Sequence, residues 1–321
     1  MASSSMSEAD QLHISKSLID ELDTQVVGRT REVELVVAAL GAGRHMLLEG
    51  PPGTGKSTLL RAVADGLGLK FEFVEGNAEL TPARLVGHFD PARVFTDGYS
   101  PDVFVDGPLV TALREGSLLY VEEINRIPEE TLNVLITVMS ESELNIPRLG
   151  RVAASGGFRL VAAMNPFDAV GTARISSAVY DRVCRLSLSY QSSDQEIEIV
   201  QRNMKSLSEA PSAEWIRHVV EVVRRTRLHP DLRVGSSVRG AIDASLVATS
   251  LARLRGADVS DGQVGLDSAL VALTGRVRLR EGSTRSAEEV ITEIWDEVFG
   301  LFGEGASAGK DRAPIGAAHM H

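Results

Sequence analysis

Between Thr30 and Leu188 short apolar runs alternate with segments whose apolar residues recur every three to four positions. The runs are His45-Met46-Leu47-Leu48-Glu49, Phe71-Glu72-Phe73-Val74, Leu118-Leu119-Tyr120-Val121, Phe158 to Met164 and Val183 to Leu188. Each reads as a buried strand. Strands separated by helices imply βαβ units and a parallel sheet. Thr30 to Leu40 reads as a helix through Val33, Val36, Val37 and Leu40, with Thr30 as its cap and Gly41-Ala42-Gly43 as its stop. Leu12 to Leu22 is a short amphipathic segment, and Ser57 to Ala64 reads as a helix opening at a glycine loop.

After Ser192 the pattern changes. Ser193-Asp194-Gln195-Glu196 has capping-box spacing. Helical periodicity follows over Ala213–Thr226, Ser237–Leu254, Leu266–Arg276 and Ala287–Phe302. The expected organisation is a disordered N-terminus at 1–11, an α/β core at 12–192, a smaller all-α lid domain at 193–302 and a disordered tail at 303–321. His319 and His321 fall in that tail, where they read as part of a mobile end.

Gly50-Pro51-Pro52-Gly53-Thr54-Gly55-Lys56-Ser57-Thr58 contains the pattern G-x-x-x-x-G-K-[ST] without a mismatch. Its glycines let the backbone curl so that N–H groups converge on phosphate oxygens. Lys56 is placed to reach the β- and γ-phosphates and the Ser57 hydroxyl to hold Mg²⁺. The preceding strand and following helix N-terminus complete an anion site.

Glu122-Glu123 closes a later apolar run. An acidic pair there orients the Mg²⁺ shell with its first carboxylate and polarises the attacking water with its second. The usual first residue is Asp, and Glu122 is one methylene longer. Asn165 ends the next strand, where an amide offers donor and acceptor to the water or the γ-phosphate. Arg182, in Tyr180-Asp181-Arg182 on a predicted helix before the last core strand, is a candidate to stabilise charge on a neighbouring subunit's phosphate, with Arg174 as a rival. Arg239, near the start of a lid helix, could tie lid angle to nucleotide state.

Composition changes this picture little. With 43% hydrophobic residues and 321 residues in all, the chain can bury a large core. No apolar run approaches the roughly 18 residues of a membrane span. The polar Met1-Ala2-Ser3-Ser4-Ser5 has no signal-peptide layout, and Cys184 is the sole cysteine, so the cytoplasm is the expected location. A net charge of -11 argues against broad nucleic-acid binding.

In this order the motifs resemble the AAA+ ATPase superfamily and, within it, the MoxR family, over roughly residues 26–295. Val27-Gly28-Arg29 resembles the family's motif beside the adenine, and Gly50 to Ser57 its Walker A. Leu118 to Arg126 resembles its Walker B, with a specific Glu-Ile-Asn-Arg tail. Ala163-Met164-Asn165-Pro166 resembles sensor 1, Ala178 to Val183 the arginine-finger segment, and Gly235-Ser236-Ser237-Val238-Arg239 sensor 2. Glu122 for Asp, Tyr180 for Leu, Val183 for Phe and Val238 for Pro depart from the usual pattern. Leu85–Leu109 resembles the family's helix-2 insert and Leu144–Phe158 the hairpin before sensor 1; in related motors these face the ring pore and substrate.

The resemblance implies ATP and Mg²⁺ as cofactors and a homo-oligomeric ring, usually a hexamer, in which each site borrows its neighbour's Arg182. It also implies chaperone-like work on a protein client, often with a von Willebrand factor A domain partner. Two other classes stay open: a nucleic-acid motor or loader, and a low-turnover nucleotide-binding assembly protein of gas-vesicle type. The chain carries no Asn-Lys-x-Asp guanine signature, which favours ATP.

Overall fold

The computed structural model describes residues 14–166, 176–207 and 209–300. The expectations for 1–11, Arg174, 303–321 and the last two residues of the predicted final helix lie outside that range. The chain divides into two compact units between Gln195 and Glu196.

The first unit runs α1 (Lys16–Gln25), α2 (Thr30–Gly41), β1 (His45–Glu49), α3 (Lys56–Gly66), β2 (Phe71–Glu75), α4 (Pro82–Val86), β3 (Gly87–Phe89), α5 (Pro91–Asp97), β4 (Phe104–Asp106), α6 (Pro108–Glu115), β5 (Leu118–Glu122), α7 (Glu129–Glu141), β6 (Glu143–Ile146), β7 (Gly150–Ala153), β8 (Arg159–Met164), α8 (Ser177–Tyr180) and β9 (Val183–Ser187). Five strands form one parallel sheet in the order β2-β5-β8-β1-β9. Each central strand buries both faces, which is why it reads as a continuous apolar run. Leu47, Leu119, Val121, Leu160 and Ala162 face one layer, with α4, α6 and α7. Met46, Leu48, Leu118, Tyr120, Val161 and Ala163 face the other, with α1, α2 and α3.

Two small antiparallel ladders interrupt the βαβ pattern. β3 pairs with β4, and β6 with β7. They form the two predicted inserts. Arg148, in the β6–β7 turn, lies 3.8 Å from the ring centre of Tyr99, so one insert touches the other through a cation–π contact.

α9 (Ser193–Met204) carries the chain across the unit boundary. The second unit continues with α10 (Ala213–Thr226), β10 (Leu232–Val234), α11 (Val238–Arg255), α12 (Gly262–Leu273), β11 (Arg278–Leu279) and α13 (Ala287–Gly300). Its core is built on Trp215, Ile216, Val219, Val223, Ile291 and Trp295, among others. The second unit is helical as expected, with one short antiparallel pairing, β10–β11, added to its helices. Strands of three and two residues are too short to show a period of two in the sequence.

Three local expectations also change. Thr30 does not cap α2; Arg29 holds the cap position, and the Thr30 hydroxyl donates to Asp23 at 2.8 Å. The capping pair of α9 is Ser192 and Gln195, not Ser193 and Glu196. Ser192 N donates to Gln195 Oε1 at 3.0 Å and Gln195 N to Ser192 Oγ at 3.3 Å. Glu196 is instead buried, paired with Arg224 at 3.0 Å and Arg227 at 2.8 Å. Arg182 and Asp181 follow α8 in a turn, because that helix stops at Tyr180.

His45 opens β1 with its Nδ1 accepting from Leu160 N at 2.9 Å. Burial, reinforced by the positive charge of Arg159 and Arg44, lowers its pKa to about 4. The folded protein therefore refuses a proton that the unfolded chain accepts below pH 6.5. Stability is intact above that value and falls as the pH drops toward 4. Acidifying from pH 7 to pH 5 should cost about 2 kcal/mol through this group. Urea titrations of wild type and His45→Asn at both pH values check this: the variant should lose that part of the slope, and an unchanged slope would contradict the assignment.

Candidate active site

In a parallel sheet the carboxyl ends of the strands share one edge, and polar residues cluster there. β1 leaves that edge at Gly50. Gly50 N donates to Met164 O of β8 at 3.2 Å, and Leu188 N donates to Glu49 O at 2.7 Å. A Cβ at residue 50 would stand 2.4 Å from Leu188 O, so only glycine fits. Gly53 and Gly55 then turn the loop with φ of 74° and 82°, the left-handed region that glycine favours. Gly55 precedes the first turn of α3 with no side-chain cap on that helix. Lys56 Nζ donates to the carbonyls of Gly50 and Pro51, each at 2.9 Å, and Thr54 Oγ1 donates to Pro51 O at 3.0 Å. Pro52 and Thr58 lie exposed on either side of the buried Thr54 and Lys56.

Arg29 was not legible as a loop support. It is almost wholly buried, and its guanidinium donates to Thr54 O at 3.1 Å, Ser189 O at 2.5 Å and Glu32 at 3.0 Å. It thereby ties the phosphate-loop candidate to the start of α2 and to the segment after β9. Val27 is buried beside it, and Gly28, at φ 65°, packs so closely on Gln195 that any Cβ would strike that side chain.

β8 lies between β5 and β1. Asn165, the residue after it, therefore falls between the end of β5, with Glu122 and Glu123, and the end of β1, with Gly50. Glu122 Oε1 accepts from Ser57 Oγ at 3.2 Å, so the extra methylene does not prevent contact. A hydroxyl and a carboxylate are hard oxygen donors suited to Mg²⁺, which commonly takes one or two carboxylates plus substrate phosphates. Among the described residues there is no group of three or more His, Cys, Asp or Glu side chains arranged to hold a metal without such help. The donor set thus fits Mg²⁺ arriving with a nucleotide.

Glu123 turns out of the strand at φ 52°, an uncommon conformation for a residue with a side chain. Its carboxylate pairs with Arg126 at 3.1 Å. Gly76, just beyond β2, presses on this corner: its N–H donates to Glu122 O at 2.7 Å, and a Cβ there would lie 2.4 Å from Glu123 O. Gly76 is a second residue that sequence reasoning missed, because a glycine after a strand reads as an ordinary turn.

Tyr180 donates to Glu49 Oε1 at 3.1 Å, and Arg185 Nε donates to Glu49 Oε2 at 2.6 Å. Burial, and then the bond to Glu49 and its charge, raise the Tyr180 pKa; the hydrogen bond to Glu49 raises that of Arg185. Arg182 is exposed two residues on, donating to Ser140 Oγ and to Ala178 O, the latter at 2.7 Å. Arg239 belongs to the second unit, at the exposed start of α11. Its helix start is fixed by Thr226 Oγ1, which accepts from Ser236 N at 2.8 Å, and by Gly235 against Arg227. Among the described residues the Arg239 side chain makes no hydrogen bond or ion pair.

The AAA domain of the dynein-related subfamily matches residues 45–183, from β1 to the start of β9. An uncharacterized protein of Staphylococcus epidermidis is 30% identical over 218 residues, covering 64% of this chain and 78% of its own length. The chain belongs to the AAA+ ATPases. The gas vesicle ATPase GvpN1 of Halobacterium salinarum is 27% identical over 304 residues, 88% of this chain and 84% of that protein. A RuvB structure from Thermotoga maritima superimposes with a TM-score of 0.54 at 20% identity, covering 79% of this AAA+ chain and 72% of the other. At that identity the likeness shows the fold. No helix among the described residues is long and apolar enough to cross a membrane.

Gly76→Ala should displace the Glu123 corner and leave the loop alone. Nucleotide turnover is expected to fall roughly ten- to a hundredfold, as misplacing a reacting group by an ångström can do, with nucleotide affinity nearly unchanged. Wild-type turnover in Gly76→Ala, measured beside equilibrium binding, would contradict this role.

Proposed function

We propose that this AAA+ chain is a MoxR-type ATPase that hydrolyses ATP with Mg²⁺ in a ring-shaped homo-oligomer, usually six-fold in such families, and uses the cycle to remodel, activate or assemble a protein client in the cytoplasm. The observation that carries the reading is the Ser57–Glu122 contact, with Glu123 turned out beside it at the edge where Gly50 begins the loop. In this reading the loop N–H groups and Lys56 bind the β- and γ-phosphates. Val27 and Gly28 border the adenine. Ser57 and Glu122 would hold Mg²⁺, which when bound would neutralise phosphate charge. Asn165 orients the attacking water and Glu123 accepts its proton. To do so Glu123 must give up part of its pairing with Arg126. Arg182, exposed on its turn, acts on the nucleotide of the adjacent copy, and Arg239 reports lid position.

A protein client is supported by the likeness to gas vesicle ATPases over most of the chain. That likeness also favours, as a second reading, assembly of a large protein structure at low turnover. A von Willebrand factor A domain protein fits as partner through the MoxR resemblance. Phe95 of α5, 93% exposed, is the apolar contact we assign to the client. The acidic net charge of -11 weighs against a nucleic-acid motor.

Glu123→Gln should bind ATP as wild type does and lose hydrolysis by roughly a hundredfold or more, the range of general-base catalysis. Near-normal turnover in that variant would remove Glu123 as the base. Wild-type specific activity should rise with protein concentration, and Arg182→Ala should keep ATP affinity while losing that rise. A monomer with concentration-independent turnover would contradict the shared site.

A further inference from the structure

Side chains alternate across a strand, so Leu118, Tyr120 and Glu122 of β5 point to the face that carries α3. Tyr120 has no exposed surface. Its ring is fixed against Phe71 and Phe73 of β2, with centroids 5.8 and 5.7 Å away. The Arg61 guanidinium covers Phe71 in turn, 4.6 Å from its centre. A phenol is a costly choice for such a place unless its hydroxyl is bonded, since phenylalanine would fill nearly the same volume. The Tyr120 hydroxyl lies 3.2 Å from Ser57 Oγ.

Ser57 therefore has two oxygen neighbours at equal distance, Tyr120 OH and Glu122 Oε1. A serine hydroxyl has one proton and two lone pairs. When a lone pair serves a cation, the proton must point to an acceptor on another side. If Glu122 takes it, that carboxylate oxygen is occupied. We propose that Tyr120 is a positioning residue for the metal-holding serine: its oxygen accepts a hydrogen bond from the Ser57 hydroxyl, which leaves the serine lone pairs for Mg²⁺ and the Glu122 carboxylate for the metal's waters. This rests on the reading of Ser57 and Glu122 as the Mg²⁺ site.

The test is binding of a fluorescent ADP analogue, first in EDTA and then in a Mg²⁺ titration, to wild type, Tyr120→Phe, Ser57→Ala and the double variant. Tyr120→Phe keeps the packed ring and removes the hydroxyl. Its affinity in EDTA should equal that of wild type, and its half-saturating Mg²⁺ concentration should rise about three- to tenfold, the worth of one hydrogen bond. In the Ser57→Ala background the same change should shift nothing further. An unmoved Mg²⁺ curve in Tyr120→Phe overturns the proposal. So does an equal loss of affinity with and without Mg²⁺, which marks a packing role, or a shift that persists without Ser57. Wild type that binds the analogue but ignores Mg²⁺ overturns the metal-site reading, and wild type that binds no analogue overturns the nucleotide-site reading itself.

Discussion

The candidate site hangs on one backbone crossing, the exit of the chain from β1 at Gly50. There the amide of Gly50 bonds to β8, the carbonyl of Glu49 receives the amide of Leu188 beyond β9, and the Leu188 carbonyl occupies the space a side chain would need. Three adjacent strands are thereby locked at their carboxyl ends, where the loop begins. Arg29 adds a second brace, from Thr54 to Ser189, across the same gap. A binding loop supported by fixed strands presents its N–H groups at little reorganisation cost.

The same stem reaches outward. Glu49, the last residue of β1, is 3% exposed, and its buried carboxylate is satisfied by Tyr180 and Arg185. Breaking such a pair on one side leaves a buried charge without compensation, so the contact is costly to lose. Tyr180 stands two residues before Arg182. The strand end that leads into the loop is thus bonded to the helix end that leads into the turn of Arg182, the arginine we assign to another copy's nucleotide. Leucine, the usual residue in the MoxR pattern that this segment resembles, could not make the bond. In the ring we propose, the two halves of the shared site are joined by this side-chain contact as well as by the sheet.

The sheet was legible because both faces of its strands are buried, which writes continuous apolar runs such as Met46-Leu47-Leu48 into the chain. The glycine loop between β1 and α3 was legible because its glycines, lysine and serine stand in a fixed local order. What escaped notice depends on partners distant in sequence. Arg29 meets Ser189, and Gly76 meets Glu123; neither spacing leaves a periodic trace. The capping pair slipped by one residue because Glu196, which has the right spacing from Ser193, is drawn into the core by Arg224 and Arg227. β10 and β11 were missed because so few residues carry no period. Tyr120 read as one more apolar strand residue, and only the proximity of its hydroxyl to Ser57 gives it chemistry.

The central claim is that the ends of β1, β5 and β8 form a single site for a Mg²⁺–nucleotide complex. An experimental structure of Glu123→Gln with ATP and Mg²⁺ tests it most directly. The account predicts the phosphates wrapped by residues 50–57, the ion beside Ser57 and Glu122, and residue 123 and Asn165 facing the γ-phosphate. Nucleotide bound elsewhere, or an ion held without Ser57, would contradict it.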